Sequence, residues 1–248
     1  SRLMSDGVLI TARLKSKRFP KKIIKKLING DLVIEYLIKN LKKKFKANQI
    51  ILITSKSSQD YILTKIAKKN GIQFFRGHAR DVLDRMLKAS EKFKFKNIIS
   101  CTADNPLIDA SYAKSILKFH KQKKNDLTTN LTLPIGMFAY VINIESLKKV
   151  IKKKNSKNTE TWVGYFKKMK NFKIEDYGRP RISTKIRLTI DYVEDYKTVN
   201  KVLKNLPTNF PSIKDILKLY EKKPNIFKIN SHIVQKPVTR PRFKNEQK

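Results

Sequence analysis

Apolar residues along the chain follow two rhythms that take turns. Short runs rich in Val, Ile, Leu and Phe predict strands, and longer stretches with an apolar residue at every third or fourth position predict amphipathic helices. Gly7 to Ala12 predicts a first strand, and after the turn Asn29-Gly30-Asp31 the residues Leu32, Tyr36, Leu41 and Phe45 recur at near-helical spacing. Ile50 to Thr54 predicts a second strand and Ser58 to Asn70 the helix behind it. "GIQFFRG", Gly71 to Gly77, predicts a third strand, Arg80 to Phe93 a third helix, and Asn97 to Thr102 a fourth strand that ends in "ADNP". Strand and helix in strict alternation predict an α/β fold with a mostly parallel central sheet and helices on both faces, because each crossover returns the chain to the same end of the sheet.

The second half is less regular. A helix is predicted over Ala110 to Lys124, strands over Leu127 to Leu131 and Met137 to Asn143, and helices over Ile144 to Lys153 and Thr159 to Lys170. Further strands are predicted at Phe172 to Tyr177 and Ile186 to Ile190, with helices over Val193 to Asn205 and Ser212 to Lys222. From Ser231 the chain turns polar and proline-containing, which predicts a loosely held tail over 231–248 behind one domain spanning 1–230.

With 40% hydrophobic and 31% charged residues in 248, the chain can bury an ordinary core. No apolar run approaches a membrane span and no signal peptide pattern is visible, so a soluble, cytoplasmic protein is expected. The single cysteine, Cys101, excludes an internal disulfide and any cysteine-rich metal cluster, and its apolar surroundings predict a small buried hydrophobe.

Charge changes the picture more. The formal net charge is +37, from 57 Lys+Arg against 20 Asp+Glu, a balance that first suggests nucleic acid or an anionic surface. The lysines are spread over the whole chain, however, which marks a compositional bias rather than a patch, and no helix-turn-helix, zinc-finger or RNP-like pattern occurs. Arginine is scarce and clustered: Arg13 and Arg18, Arg76 to Arg85, Arg179 to Arg187, then Arg240 and Arg242. Its planar fork suits phosphate, so these clusters are the better guide, and they argue against nucleic acid as the functional partner.

Right-handed crossovers commonly give the strand order 3-2-1-4, which places the loops after strands 1 and 4 on one crevice. The first of those loops lies in "ITARLKSKRFPKK", Ile10 to Lys22, and the second carries Asp104. Basic side chains facing a carboxylate at this switch point suit a polyphosphate with a divalent cation. The loop is neither a Walker A sequence nor a dinucleotide fingerprint, since it lacks the glycines of both.

What the loop does contain is the order Ala12, Arg13, Ser16, Arg18, Pro20, Lys22. In sequence after it come "FFRGHARDVLDRM" (Phe74 to Met86), "CTADNPLID" (Cys101 to Asp109), "RLTIDYVEDYKTV" (Arg187 to Val199) and a segment from Ser212 to Asn230. Together these resemble the cytidylyltransferases that activate acidic sugars, such as those making CMP-Kdo and CMP-sialic acids, and most closely the spore-coat polysaccharide branch. The resemblance implies a Rossmann-like nucleotide-diphospho-sugar transferase fold and transfer of CMP from CTP to a sugar-acid acceptor for surface polysaccharide or glycan synthesis, with release of pyrophosphate. It implies that Ala12, Arg13, Leu14, Ser16, Arg18 and Lys22 surround the nucleotide, with main-chain groups near Ala12 to Lys15 reading cytosine and Arg13 and Lys22 as the catalytic cations. It further implies that Asp104 and Asp191 hold Mg2+ and that Arg85 points toward the nucleotide; relatives of this kind are often homodimers, but no stretch of the chain identifies an interface.

Other readings of the same residues stand beside these. Arg13 and Arg18 could be solvated loop charges, Asp104 could start a turn, Asp191 could cap the following helix, and Arg85 could pair with Asp81 one helical turn away. The whole chain could also serve another nucleotide or acceptor on the same fold, or act as a basic binding module. Lys15 and Lys21 stand where the family often has glycine, and Phe138 and Tyr140, with Thr159-Glu160-Thr161-Trp162, depart from the branch's pattern near the acceptor. The nucleotide half is therefore expected to be conventional and the acceptor half altered.

Overall fold

Strands that are apolar on both faces need cover on both faces, and the sheet shows this residue by residue. In the computed structural model, which describes residues 5–178, 185–235 and 241–246, seven strands form one sheet in the order β3-β2-β1-β4-β6-β5-β7. The strands β1 (Ser5–Thr11), β2 (Ile50–Ser55), β3 (Gln73–Gly77) and β4 (Phe95–Thr102) run parallel, as the alternation predicts. Beyond β4 the sheet turns mixed: β6 (Tyr140–Asn143) is antiparallel to both β4 and β5 (Leu127–Thr129), and β7 (Ile174–Asp176) is parallel to β5.

Alternate residues of each strand enter different layers. Val8, Ile10, Ile50, Leu52 and Ile99 pack with α1 (Val33–Lys42), α2 (Tyr61–Lys69) and α4 (Ala110–Lys123), while Leu9, Ile51, Ile53 and Ile98 pack with α3 (Val82–Phe93), α5 (Ile144–Lys153) and α6 (Val163–Lys167). A third cluster joins the outer side of α1, through Val33 and Tyr36, to α7 (Val193–Lys204) and α8 (Ile213–Lys222). Cys101 is buried in the first layer, and burial pushes its thiol up to about 12, in keeping with an inert hydrophobe.

Two expectations are corrected. The run Ile186 to Ile190 is not a strand: it is an extended segment joined to Ile135 by a single bridge at Arg187, with Leu188 N–H donating to Ile135 O at 2.7 Å and Ile190 N–H to Asp104 O at 2.9 Å. The helix expected over Thr159 to Lys170 shrinks to α6, because Thr159 is held to the start of α3 by Thr159 N–H to Arg80 O at 3.0 Å and its hydroxyl to Asp81 at 2.8 Å. Within the stretch 241–246, Phe243 bridges Lys154 and packs on Tyr165, and Glu246 pairs with Lys168. Residues 179–184, 236–240 and 247–248, with Arg179, Arg181 and Arg240, lie outside the described residues. No described helix is long and apolar enough to cross a membrane.

Candidate active site

The loop leaving β1 is shaped from underneath by a residue that its own sequence does not contain. Asp60, at the end of a single turn of 3-10 helix (Ser58–Asp60), is fully buried, accepts the Leu14 N–H at 2.8 Å and accepts a short bond from the Ser55 hydroxyl. The Arg13 guanidinium lies 3.7 Å from the same carboxylate. Ala12 N–H donates to Ile53 O at 3.1 Å, and the Ser16 hydroxyl accepts the Phe19 N–H at 3.3 Å, so Ser16 turns the loop. At Lys21 the backbone enters the left-handed region with φ 55°, which costs a side-chain-bearing residue roughly 1–2 kcal/mol and would suit glycine.

That turn delivers Lys22 into a cluster of opposite charges. Its ammonium donates to Asp104 Oδ2 at 3.0 Å and to Asp191 Oδ1 at 3.1 Å, while Arg18 Nη2 donates to both oxygens of Asp191 at 2.8 and 2.7 Å. Arg18 also lies over the Tyr192 ring, 5.4 Å from its centroid. Partial burial alone would raise the Asp191 carboxyl, but the hydrogen bond from Arg18 and the charge of Lys22 outweigh it and hold the group below the usual carboxylate range. Burial alone would likewise lower the Lys22 ammonium, and the two aspartates outweigh it and raise it.

Asp191 reaches this cluster because the extended segment before it is tied to the Asp104 carbonyl. It does not cap α7. That task falls to Asp195, fully buried, which accepts the Asp191 and Tyr192 N–H groups at 3.0 Å each and is neutralised by Arg187 at 2.9 and 3.1 Å. Two carboxylates from different segments therefore converge on Lys22, and Asp191 carries Arg18 besides. Magnesium takes one or two carboxylates and completes its shell with water and phosphate oxygens, so this donor set fits it. No group of three or more His, Cys, Asp or Glu suited to a metal occurs among the described residues.

The other expected residues are placed differently. Arg13 Nη1 donates to Ala79 O at 2.7 Å and lies 3.5 Å from Glu160, which fixes the β1 loop to the β3–α3 loop. Arg85 neither pairs with Asp81 nor reaches the open site. It is fully buried and donates through Nη1 to His78 O at 2.7 Å and Ala79 O at 3.2 Å, while Asp81 is taken by Lys154 at 2.5 Å and by Thr159. Burial and the nearby charge of Arg13 lower its guanidinium to about 10. Arg76 donates to Ser55 O and Ser57 O, and His78 accepts the Arg80 and Asp81 N–H groups, so both shape the frame of the loops.

Arg18, Lys22, Asp104 and Asp191 line a cavity of about 830 Å³; Ala12, Arg13, Leu14, Ser16 and Arg85 lie off its wall. One strand further along the sheet the lining changes character. Phe138, Tyr140 and Trp162 face the same cavity, with ring centroids 6.5 Å apart for the first pair and 5.3 Å for the second, and Trp162 is braced by Phe166 at 5.5 Å. Tyr140 stands opposite Ser100 across the β4–β6 pair, and burial pushes its hydroxyl up to about 12. Gly136, at φ 98°, lets the backbone of this wall close on the extended segment: a Cβ there would meet Thr189 N at 2.2 Å.

Comparison with known proteins identifies the family and the fold. A family model described as cytidylyltransferase matches residues 7–233. The chain is 30% identical over 233 residues to an uncharacterized protein of Methanocaldococcus jannaschii, covering 92% of this chain and 95% of that one. It is 25% identical over 199 residues to the spore coat polysaccharide biosynthesis protein SpsF of Bacillus subtilis, covering 77% and 83%. Among solved structures, a cytidylyltransferase from Leptospira borgpetersenii aligns with a TM-score of 0.85 at 27% identity, over 94% of this chain and 100% of that one.

Proposed function

The chain belongs to the cytidylyltransferase family, and on that premise we propose that it transfers CMP from CTP to a hydroxyl of a sugar acid, with Mg2+ held by Asp104 and Asp191. The observation that carries this reading is the convergence of Asp104, Asp191, Arg18 and Lys22 on one cavity at the switch point between β1 and β4. The resemblance of the chain's motifs to enzymes making CMP-Kdo and CMP-sialic acids supports the sugar-acid acceptor. Its likeness to a spore coat polysaccharide protein supports a role in surface polysaccharide synthesis.

In the reaction the acceptor hydroxyl oxygen attacks the α-phosphorus. The bond from that phosphorus to the oxygen bridging the β-phosphate breaks, pyrophosphate leaves with the bonding electrons, and the hydroxyl proton passes to solvent. No protein nucleophile is needed; the protein aligns the two oxygens and neutralises charge. Magnesium, when bound, supplies charge neutralisation on the phosphate oxygens. Lys22 and Arg18, beside the two aspartates on the cavity wall, are the cations placed for the triphosphate, and Arg13 adds its charge from the loop beside it. Of the main-chain groups near Ala12 to Lys15 that would read cytosine, the Ala12 and Leu14 amides are already used, by Ile53 and Asp60.

The direct test is pyrophosphate release from CTP with a sugar-acid acceptor. Asp104→Ala is expected to lower it by about 10²–10³-fold, the cost of removing one preorganised electrostatic group; full turnover in that variant, or in wild type after chelation, would sink the reading. Thermal shift with CTP, UTP, GTP and ATP separates this nucleotide from the alternatives, since selective binding raises the melting temperature.

A further inference from the structure

The Lys22 ammonium sits between the two carboxylates proposed above to hold the divalent cation. It touches one oxygen of each of the two carboxylates, at 3.0 and 3.1 Å, and its side chain is only 12% exposed, so it is not a surface charge resting against them. Asp191 carries Arg18 as well, but Asp104 has Lys22 as its only ion-pair partner among the described residues. Without Lys22, two carboxylates from segments far apart in sequence would face each other across the cavity mouth with one arginine to share.

Lys22 is also the residue whose position the loop is built to set. It follows the left-handed Lys21 and opens the 3-10 turn Lys22–Ile24, whose Ile23 is buried in the sheet's first layer. The stem of the side chain is thereby fixed on the rim while the ammonium keeps its rotatable reach, and an ammonium binds as a point charge with no demand for one geometry.

We propose that Lys22 is an exchangeable cation: in the free protein it holds Asp104 and Asp191 together, and an incoming divalent ion displaces it from the carboxylates and frees it for the phosphates of the nucleotide. The inference rests on the reading of Asp104 and Asp191 as the metal site. Two consequences follow from competition for the same oxygens. Metal alone binds weakly, because it must evict an ammonium that then has no partner. Metal and nucleotide bind with positive coupling, because the phosphates give the evicted ammonium a partner, and this coupling is the same whichever binds first.

The test measures Mn2+ binding by electron paramagnetic resonance, with and without CTP, for wild type and for Lys22→Met, which keeps the unbranched apolar stem and removes the ammonium. Lys22→Met is expected to bind Mn2+ alone at least tenfold more tightly than wild type, to bind CTP more weakly in the presence of chelator, and to lose most of the coupling. Equal or weaker Mn2+ binding by the variant, or no Mn2+ binding by either protein, would overturn the inference. CTP-dependent pyrophosphate release by wild type is scored separately, so that either idea can fail alone. Should Lys22→Met not fold, wild type still decides: Mn2+ affinity that is indifferent to CTP would overturn the exchange.

Discussion

At one end of the cavity four side chains from three separate segments hold one another by charge; at the other, three rings hold one another by contact. The two ends are set two strand spacings apart, from β1 to β6, or about 10 Å. The ionic end has little shape of its own. Asp104, Asp191, Arg18 and Lys22 can exchange partners for ions and phosphates without disturbing the core, and the groups that fix them, Asp60 and Asp195, are fully buried behind them. The aromatic end is the reverse: Trp162 belongs to the core with Phe166, Tyr140 packs against that core and Phe138 against the third cluster, so its shape is fixed and its hydrogen-bonding capacity is small. Charge that can be re-partnered suits a chemistry common to many substrates, whereas a rigid apolar wall suits selection among them.

The sharpest way to break this contrast is to remove the buried support of the ionic end. Asp60→Ala leaves the Leu14 amide and the Ser55 hydroxyl without their acceptor and is expected to cost about 3 kcal/mol in a denaturant titration, in the range for losing one member of a buried charged network. It should weaken CTP far more than acceptor. An equal loss for both substrates in steady-state kinetics would mean that the two ends are not independently held.

Phe138→Ser tests the other end with a smaller effect. Phe138 is half-buried and lines the cavity, so its loss is expected to raise the acceptor KM about tenfold, the worth of a few methylene contacts, while the CTP KM stays within twofold. A change in the CTP KM of the same size would merge the two ends into one site. Smallest is Lys21→Gly, which relieves the left-handed strain but adds the chain entropy of glycine. The net is expected to be a stabilisation below about 1 kcal/mol, read from the denaturant midpoint. A destabilised variant would show that the Lys21 side chain contributes contacts that outweigh its strain.

The two ends also differ in how far the sequence discloses them. The ionic end was readable because its residues sit in one loop behind a strand and in two short motifs, and because a parallel sheet brings those places together whatever the intervening chain does. Asp60 was not, because an acid at the start of a helix looks like a cap until the loop lying over it is known. Asp191 offered a cap reading that Asp195, four residues on, in fact fulfils. Ile186 to Ile190 has the composition of a strand, and only the tertiary structure shows that its amides are satisfied one at a time by Ile135 and Asp104. The contacts within 241–246 were hidden for a similar reason: one aromatic residue, Phe243, in a polar stretch gives no periodic signal, yet it finds Tyr165 and the lysines at positions 153 and 168.

Trp162 is the only tryptophan in the chain, and it stands in the aromatic wall rather than beside the phosphates. The intrinsic fluorescence of the unlabelled protein therefore comes with a built-in position. A library of sugars can be screened in a cuvette by emission alone, with no assay for the product and no prior guess at its identity. Compounds that shift the spectrum when CTP does not are the ones that have reached the aromatic end.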